Sequence, residues 1–287
     1  MLITGQARLA GVMGWPVAHS LSPALHGHWL EHYGIDGAYV PLPVRPEHVA
    51  LAFEALPRLG FLGWNVTVPH KEAAFRLVAA HDAAAARMGA VNTVLVGPDG
   101  GLFGRNTDGL GFIANLRAAV PGWRGGEGPA VILGTGGSAR AVATALLMAG
   151  APGLRLVGRS PAKADELAAA LRDLAPVVTV AWAEREAALA GAALLVNCTS
   201  LGMQGQPPLD LRLDALTPGA VVADLVYVPL ETDLLAGARR HGCRVVDGLG
   251  MLLHQAVPGF AHWGGREPVV DEAVRARLLG LLAAPRA

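Results

Sequence analysis

The sequence contains very little cysteine, since Cys198 and Cys243 are the only two among its 287 residues. Two cysteines so far apart in the sequence give no basis for the disulfide framework of a small secreted domain or for a thiolate metal site. The 10 histidines include no His-Glu-x-x-His pattern of the kind that holds zinc on a helix. We therefore expect neither a metal nor a disulfide-based fold.

An excess of charge of one sign is also absent. Lys and Arg number 23, as do Asp and Glu, and the formal net charge is +0 at pH 7. Proteins that bind nucleic acid or an anionic membrane surface usually carry a basic surface. The balance argues against both partners and favours a small molecule.

Long hydrophobic runs are missing as well, although hydrophobic residues make up 52% of the chain. No stretch reaches the roughly 18 consecutive apolar residues of a membrane-spanning helix. Residues 1–10 lack the basic region and apolar core of a secretory signal. These absences predict a soluble, cytoplasmic protein.

Short apolar runs alternate with Ala-rich helical stretches, the pattern of an α/β protein with mostly parallel strands. A chain of 287 residues usually divides into two domains. In the first part we predict strands and a hairpin at 9–13, 38–42, 63–68, 91–96 and 102–106, with helices at 23–33, 46–56 and 71–80. A second strand series is predicted at 130–133, 154–157, 194–197, 221–225 and 244–246, followed by helices at 251–260 and 271–282.

The start of the second strand series carries a Gly-x-Gly-x-x-Ala motif between an apolar strand and a helix. Gly134 allows a tight turn, Gly136 a close approach of the backbone to pyrophosphate, and Ala139 close packing of helix on strand. The N–H groups at the helix start can bind the phosphates. This context predicts a dinucleotide site.

The next strand ends at Gly158 and is followed by Arg159 and, one helical turn later, Lys163. No Asp or Glu is present there to bind the ribose 2′-hydroxyl of NAD. Two cations suit a 2′-phosphate, so the sequence favours NADP. A solvated Arg159 at a strand end is the structural alternative.

We therefore expect an α/β protein with an N-terminal α/β substrate-binding and catalytic domain, residues 1–110, completed by the C-terminal helices of about 250–287. Residues 111–249 would form a doubly wound, Rossmann-type NADP-binding domain. A Gly- and Pro-rich segment at 122–129 precedes its first strand. A cleft is expected to separate the two domains.

Two further segments carry polar residues at helix starts. Ser22 and Pro23 read as the N-cap and first residue of a helix, where the hydroxyls of Ser20 and Ser22 could bind a carboxylate. A plain helix cap is the alternative. Lys71 lies at another helix start, where the dipole disfavours a cation, so it is either solvated or placed there for proton chemistry.

The order of motifs resembles the shikimate dehydrogenase family over nearly the whole chain. The first four are Ser-x-Ser-Pro at 20–23, Asn-Val-Thr-x-Pro-x-Lys at 65–71, Val-Asn-Thr at 91–93 and Asn-Thr-Asp-Gly at 106–109. Similar segments follow at 197–203, 224–227 and 247–256. The resemblance implies a cytoplasmic oxidoreductase of aromatic amino acid and chorismate biosynthesis that uses NADPH to reduce 3-dehydroshikimate reversibly to shikimate.

The resemblance also implies a role for individual residues. Lys71 and Asp108 would be the catalytic acid/base pair. Substrate would contact Ser20, Ser22, Asn65, Thr67, Asn92, Tyr227 and Gln255. The cofactor would contact Gly134, Thr135, Gly136, Gly137, Ser138, Arg159, Lys163, Thr199, Leu225 and Gly248.

The sequence departs from the family at two positions. Gly158 stands where the family commonly has Asn, and Arg105 is an unusually basic neighbour of the Asn-Thr-Asp turn. A quinate or quinate/shikimate dehydrogenase is the nearest alternative, and a non-catalytic NADP-sensing regulator is the alternative of another class. The sequence leaves a homodimer open.

Overall fold

The computed structural model describes residues 3–283; residues 1–2 and 284–287, which the predicted substrate domain includes, lie outside the described part. The chain forms two compact units. Unit 1 contains the residues up to Thr107 and those from Gln255 onward, and unit 2 is Asp108–His254. The chain therefore leaves unit 1, builds unit 2 and returns to unit 1.

The described residues form strands and helices in alternation. The strands are β1 (Arg8–Gly14), β2 (Gly37–Pro43), β3 (Phe61–Val66), β4 (Ala80–His81), β5 (Thr93–Val96), β6 (Leu102–Arg105), β7 (Ala130–Leu133), β8 (Leu154–Gly158), β9 (Val177–Ala181), β10 (Leu194–Asn197), β11 (Val221–Asp224) and β12 (Arg244–Val246). The helices are α1 (Ser22–His32), α2 (Val49–Arg58), α3 (Lys71–Leu77), α4 (Ala83–Met88), α5 (Asp108–Ala119), α6 (Gly137–Met148), α7 (Pro161–Ala169), α8 (Asp233–Arg240), α9 (Leu249–Gly264) and α10 (Glu272–Ala283).

The sheet of unit 1 has the strand order β2-β1-β3-β5-β6-β4. Strand β1 is parallel to both β2 and β3, whereas β5 is antiparallel to β3 and β6. The predicted hairpin is confirmed as β5 and β6. Because β5 runs against β3, the carboxyl ends of β1 and β3 lie at the same sheet edge as the start of β5.

Two apolar groups cover the faces of this sheet. On one side Phe53 packs edge to face on Trp64, with ring centroids 5.2 Å apart. On the other, Trp29 of α1 packs against Phe260 of α9 with ring centroids 5.2 Å apart. The indole N–H of Trp29 donates to the carbonyl of Val269 at 3.1 Å, which ties the C-terminal segment to α1.

Unit 2 contains a parallel sheet of order β9-β8-β7-β10-β11-β12. Counted from its own first strand this is 3-2-1-4-5-6, the order of a Rossmann fold. Strands β7, β10 and β11 are buried along their whole length, as expected of strands covered by helices on both faces. The predicted fold class is confirmed.

Several predicted boundaries moved. The predicted helix 46–56 is a short 3-10 turn at Pro46–His48 followed by α2. Helix α3 ends at Leu77, because Val78 is already extended and leads into β4. Within residues 3–283, every helix is too short or too polar to cross a membrane.

Candidate active site

The motifs at 65–71 and 91–93 are joined by the sheet of unit 1. The N–H of Thr67 donates to the carbonyl of Met13 at 2.8 Å, and that of Val66 donates to the carbonyl of Asn92 at 2.8 Å. Strand pairing places Asn65 opposite Thr93. Polar residues from two predicted motifs therefore meet at one sheet edge.

Asn92 is the centre of a buried polar network at this edge. Its side-chain N–H groups donate to Thr107 Oγ1 at 3.1 Å and to Gln255 Oε1 at 3.3 Å. The side-chain Oδ1 of Asn92 accepts from the Thr107 backbone N–H at 2.9 Å, and the Thr107 hydroxyl donates to the Gln255 backbone carbonyl at 2.8 Å. The network brings together two predicted substrate residues, Asn92 and Gln255, which come from the two separate chain segments of unit 1.

Asn65 uses both of its side-chain N–H bonds within the protein. They donate to Thr93 Oγ1 at 3.0 Å and to the carbonyl of Asn92 at 3.3 Å. Its Oδ1 accepts from the Tyr39 hydroxyl at 2.6 Å. An amide oxygen has two lone pairs, so Asn65 can still accept one hydrogen bond from a ligand hydroxyl.

Tyr39 and His26 are buried residues of this region that sequence reasoning missed. Their rings stack in parallel with centroids 3.8 Å apart. Burial raises the pKa of Tyr39 well above its ordinary value, which a hydrogen bond with Ser22 opposes. Buried tyrosines usually need a partner for the hydroxyl, and the inward position of Tyr39 on the predicted strand 38–42 was the available signal.

Lys71 is the first residue of α3, as predicted, and its backbone is fixed. The carbonyl of Lys71 accepts from the N–H of Val91 at 2.9 Å, which ties the helix start to the residue before Asn92. The preceding residue, His70, is buried and places its Nε2 2.7 Å from the carbonyl of Val44. Both contacts hold the main chain of Lys71 at the same sheet edge.

The prediction that Ser22 caps helix α1 was wrong. Leu21 already has helical dihedral angles and occupies the N-cap position, so Ser22 is the first helical residue and Pro23 the second. The apolar side chain of Leu21 makes no cap hydrogen bond. Instead, the Ser20 hydroxyl oxygen accepts from the N–H of Ser22 at 3.3 Å. The two serines are therefore adjacent at an uncapped helix start.

Arg105 has a structural partner. Its Nε lies 3.3 Å from Oδ2 of Asp82, and Asp82 Oδ1 caps α4 by accepting from the N–H of Ala85 at 2.7 Å. The basic neighbour of the Asn-Thr-Asp turn is thus balanced by a carboxylate of unit 1. Asp108 is the first residue of α5 and belongs to unit 2. Its pairing with Lys71 stays a prediction.

In unit 2, the predicted phosphate-binding turn follows β7. Gly134 has φ of 106°, a conformation that favours glycine, and its N–H donates to the carbonyl of Val157 at 2.8 Å. Gly136 is the N-cap of α6 and has no side chain with which to cap it. Gly136, Gly137 and Ser138 are exposed. The first N–H groups of α6 can therefore bind an anion. Ala139 is fully buried against the sheet.

The cations expected to bind a 2′-phosphate lie beyond the adjacent strand. Arg159 follows the last residue of β8, and Lys163 lies in the first turn of α7; both side chains are exposed. Because β7 and β8 are neighbours, Arg159 follows the strand end next to the Gly134–Ser138 turn. The glycine turn, the uncapped helix and these cations fit a dinucleotide that carries a 2′-phosphate.

The remaining predicted cofactor residues follow β10 and β11 at the same sheet edge. Asn197 Oδ1 accepts from the N–H of Thr199 at 3.0 Å and from its hydroxyl at 2.7 Å. The N–H of Leu225 donates to the carbonyl of Asn197 at 3.0 Å. Gly248 packs on the carbonyl of Leu225 so closely that a β-carbon would clash there. The structure thus brings Thr199, Leu225 and Gly248 together.

Asp224, at the end of β11, organises these loops. Its Oδ1 accepts from Asn197 Nδ2 at 2.9 Å and from the N–H of Val226 at 3.0 Å, while Oδ2 accepts from the Thr232 hydroxyl at 2.8 Å. Burial raises the pKa of Asp224, and these three hydrogen bonds oppose the shift. Tyr227 follows directly, so its backbone position depends on this group.

Comparison with known proteins places these motifs in a family. The family model of the shikimate dehydrogenase substrate binding domain matches residues 12–94. A curated relative from Rhodospirillum rubrum, named shikimate dehydrogenase (NADP(+)), is 59% identical over 281 residues, which cover 97% of this chain and 99% of the relative. The chain belongs to the shikimate dehydrogenase family.

Solved structures of the shikimate dehydrogenase family and its neighbours share this fold. Shikimate 5-dehydrogenase from Thermus thermophilus, solved in complex with NADP(H) and shikimate, is 37% identical with a TM-score of 0.82, covering 94% of this chain and 99% of that one. Quinate dehydrogenase from Corynebacterium glutamicum, in complex with NAD, is 32% identical with a TM-score of 0.88, covering 96% of this chain and 99% of that one. The fold alone therefore does not separate shikimate from quinate.

Proposed function

We propose that this chain is an NADP-dependent shikimate dehydrogenase that interconverts 3-dehydroshikimate and shikimate. The observation that carries the proposal is the polar network of unit 1, in which Asn92, Thr107 and Gln255 lie at the sheet edge beside Lys71. Curated relatives 52–59% identical bear the name shikimate dehydrogenase (NADP(+)). A small carboxylated ring with several hydroxyls suits an edge built of amides and hydroxyls.

Lys71 and Asp108 act in this proposal as the acid/base pair. Oxidation of a secondary alcohol removes the hydroxyl proton while hydride leaves the same carbon, so one base must contact that hydroxyl. Lys71 takes this proton and returns it in the reverse direction, and Asp108 orients the amine and binds a neighbouring hydroxyl. NADP, when bound, accepts or supplies the hydride.

The other residues position the ring. Ser20 and Ser22, at the uncapped start of α1, bind the carboxylate, because hydroxyl donors and the helix dipole both favour an anion there. Thr67, Asn92 and Gln255 contact the ring hydroxyls, and Asn65 accepts from one of them. Tyr227 lies beside the substrate.

The cofactor is held by unit 2. The Gly134–Ser138 turn binds the pyrophosphate, and Arg159 and Lys163 bind the 2′-phosphate. Thr199, Leu225 and Gly248 line the remainder of the dinucleotide site. This assigns substrate binding to unit 1 and cofactor binding to unit 2.

An assay with two substrates and two cofactors tests the proposal. Purified protein is mixed with shikimate or quinate, each with NADP+ or NAD+, and cofactor reduction is followed by absorbance. We expect the highest kcat/KM for shikimate with NADP+. A higher value with quinate would identify a quinate dehydrogenase, and binding of NADP+ without turnover of either substrate would identify a sensor. A cytoplasmic location and a homodimer stay predictions.

A further inference from the structure

Two residues on neighbouring strand ends of unit 2 fit each other closely. Thr135 lies in the turn after β7, and Gly158 is the buried last residue of β8. The two strands are paired in parallel, and the N–H of Gly134 donates to the carbonyl of Val157 at 2.8 Å. The turn and the strand end are therefore fixed side by side.

Gly158 leaves a space that the Thr135 methyl group fills. A β-carbon at position 158 would lie 2.7 Å from Cγ2 of Thr135, and 3.6 Å from the β-carbon of Ala164. The first distance is shorter than packed carbon atoms allow, so an alanine there would force the Thr135 side chain, or the turn that carries it, to shift. Gly158 does not have a positive φ, so an alanine would meet this contact and no backbone strain.

This contact is well placed to control the cofactor site. Gly134, Gly136 and Gly137 have no side chains, so Thr135 provides the only β-carbon in the first four residues of the turn. Arg159 follows Gly158 directly. The contact thus lies between the turn proposed to bind pyrophosphate and Arg159, which is proposed to bind the 2′-phosphate.

We propose that Thr135 and Gly158 are a matched pair of positioning residues that tune unit 2 for an adenine dinucleotide with a 2′-phosphate. The inference rests on the proposed function and adds residues that set its cofactor preference. Because the fit depends on one methyl group, moving that group from one residue to the other should largely preserve it. This gives the proposal a sharp test.

The test is a double-mutant cycle on the full chain, with dissociation constants for NADP+ and NAD+ measured by calorimetry. We expect Gly158→Ala to weaken NADP+ binding about tenfold or more, since overpacking of this kind is costly. Thr135→Ser removes Cγ2 and should weaken binding by about threefold. The double variant should return to within about threefold of the wild type. NAD+ binding should change less throughout.

Controls separate the possible failures. Gly237→Ala, where the nearest atoms to a β-carbon lie 3.9 Å away, should bind as the wild type does. If the wild type binds no NADP+, the proposed function fails before the pair is tested. If the wild type binds NADP+ but Gly158→Ala binds it just as tightly, the pairing is wrong. It is also wrong if the double variant does not regain the affinity of the wild type. Equal losses for both cofactors would also overturn it. If Gly158→Ala does not fold, the Thr135→Ser variant provides the test. NADP+ binding by Thr135→Ser that equals that of the wild type would contradict the proposal.

Discussion

Lys71 begins a helix whose dipole opposes its positive charge, yet its backbone is held on both sides by Val91 and by its neighbour His70. A surface lysine needs no such support. The position is explained if the amine must be presented at the sheet edge where Asn92 lies. The proposed proton transfer makes this testable.

Replacing Lys71 by Ala should lower kcat by about 10²- to 10⁴-fold, the usual contribution of a general acid or base. The KM for shikimate should change little, because other residues bind the ring. Steady-state kinetics with saturating NADP+ measure both constants. The control is Lys163→Ala at the other lysine of the chain, which should raise the KM for NADP+ instead. A raised shikimate KM with unchanged kcat would mean that Lys71 only binds.

His26 predicts a pH dependence of stability. Its ring is fully buried, and burial lowers its pKa to about 3, which a weaker interaction with the Asn65 side chain opposes. The unfolded chain, with a histidine pKa near 6.5, therefore takes up a proton between about pH 6.5 and 3 that the folded chain does not. Stability is full above about pH 6.5 and is lost as the pH falls through this window.

The free energy of unfolding of the wild type, measured with urea, should be about 2 kcal/mol lower at pH 5 than at pH 7.5 because of His26. His26→Phe keeps a ring to stack on Tyr39 and cannot be protonated, so it should lose about 2 kcal/mol less over the same interval. His48→Gln, at an exposed histidine, should behave as the wild type does. Equal acid losses in His26→Phe and the wild type would contradict a neutral His26.

Single residues were predictable where a motif identified them and not where their role is to support another residue. Asn92 and Gln255 were named from motifs, and the structure joins them. Tyr39 was missed because a tyrosine in a strand is ordinary, and its importance depends on Asn65 being opposite its hydroxyl. Ser22 was misassigned as a cap because whether Leu21 is helical depends on its tertiary surroundings.

At the scale of elements, α8 shows how a helix start is tied to a strand end. Thr232 is the N-cap: its hydroxyl oxygen accepts from the N–H of Leu235 at 3.3 Å while the hydroxyl donates to Asp224 at 2.8 Å. The residue is 1% exposed, so neither partner can turn to water if the hydroxyl is lost. One side chain thus holds both α8 and the end of β11.

Thr232→Val keeps the shape of the side chain and removes both hydrogen bonds. It should lower the free energy of unfolding by about 1–3 kcal/mol, from loss of the cap and of a partner for a buried carboxylate. Thr232→Ser retains the hydroxyl and should lose less. Chemical denaturation of the two variants and the wild type gives the comparison. An equal loss in both would assign the effect to packing of the methyl group.

The bounds of a strand were predictable from the sequence when all of its side chains are buried. Strands β7 and β10 match the predicted ranges because each is a short, fully buried and mostly apolar run between turn signals. Strand β9 was missed because it is an edge strand with exposed positions such as Val178. Helix α5 was missed because Gly109 reads as a helix breaker; it is there because a β-carbon would lie 2.8 Å from Ala145 on α6.

At the scale of the whole molecule, the doubly wound, Rossmann-type class of unit 2 was predictable from five well-marked strands and a glycine turn, although β9, which completes the strand order, was missed. The sequence predicts that the C-terminal helices complete the first domain, and unit 1 is formed by two separated segments. Nothing local in residues 255–264 shows which sheet they will cover. That is decided by shape, through contacts such as Phe260 on Trp29.

The interruption of unit 1 by unit 2 has a consequence for synthesis. A ribosome releases the chain in order, and domains usually fold as units while it does so. Asp108–His254 leaves the ribosome before Phe260 and Trp263, which pack around His26. The hydrogen bond from Asn92 to Gln255 likewise forms only after Gln255 has emerged. The nascent protein can therefore complete its second unit before its first, with aromatic rings of the first uncovered until residues 255–264 have emerged.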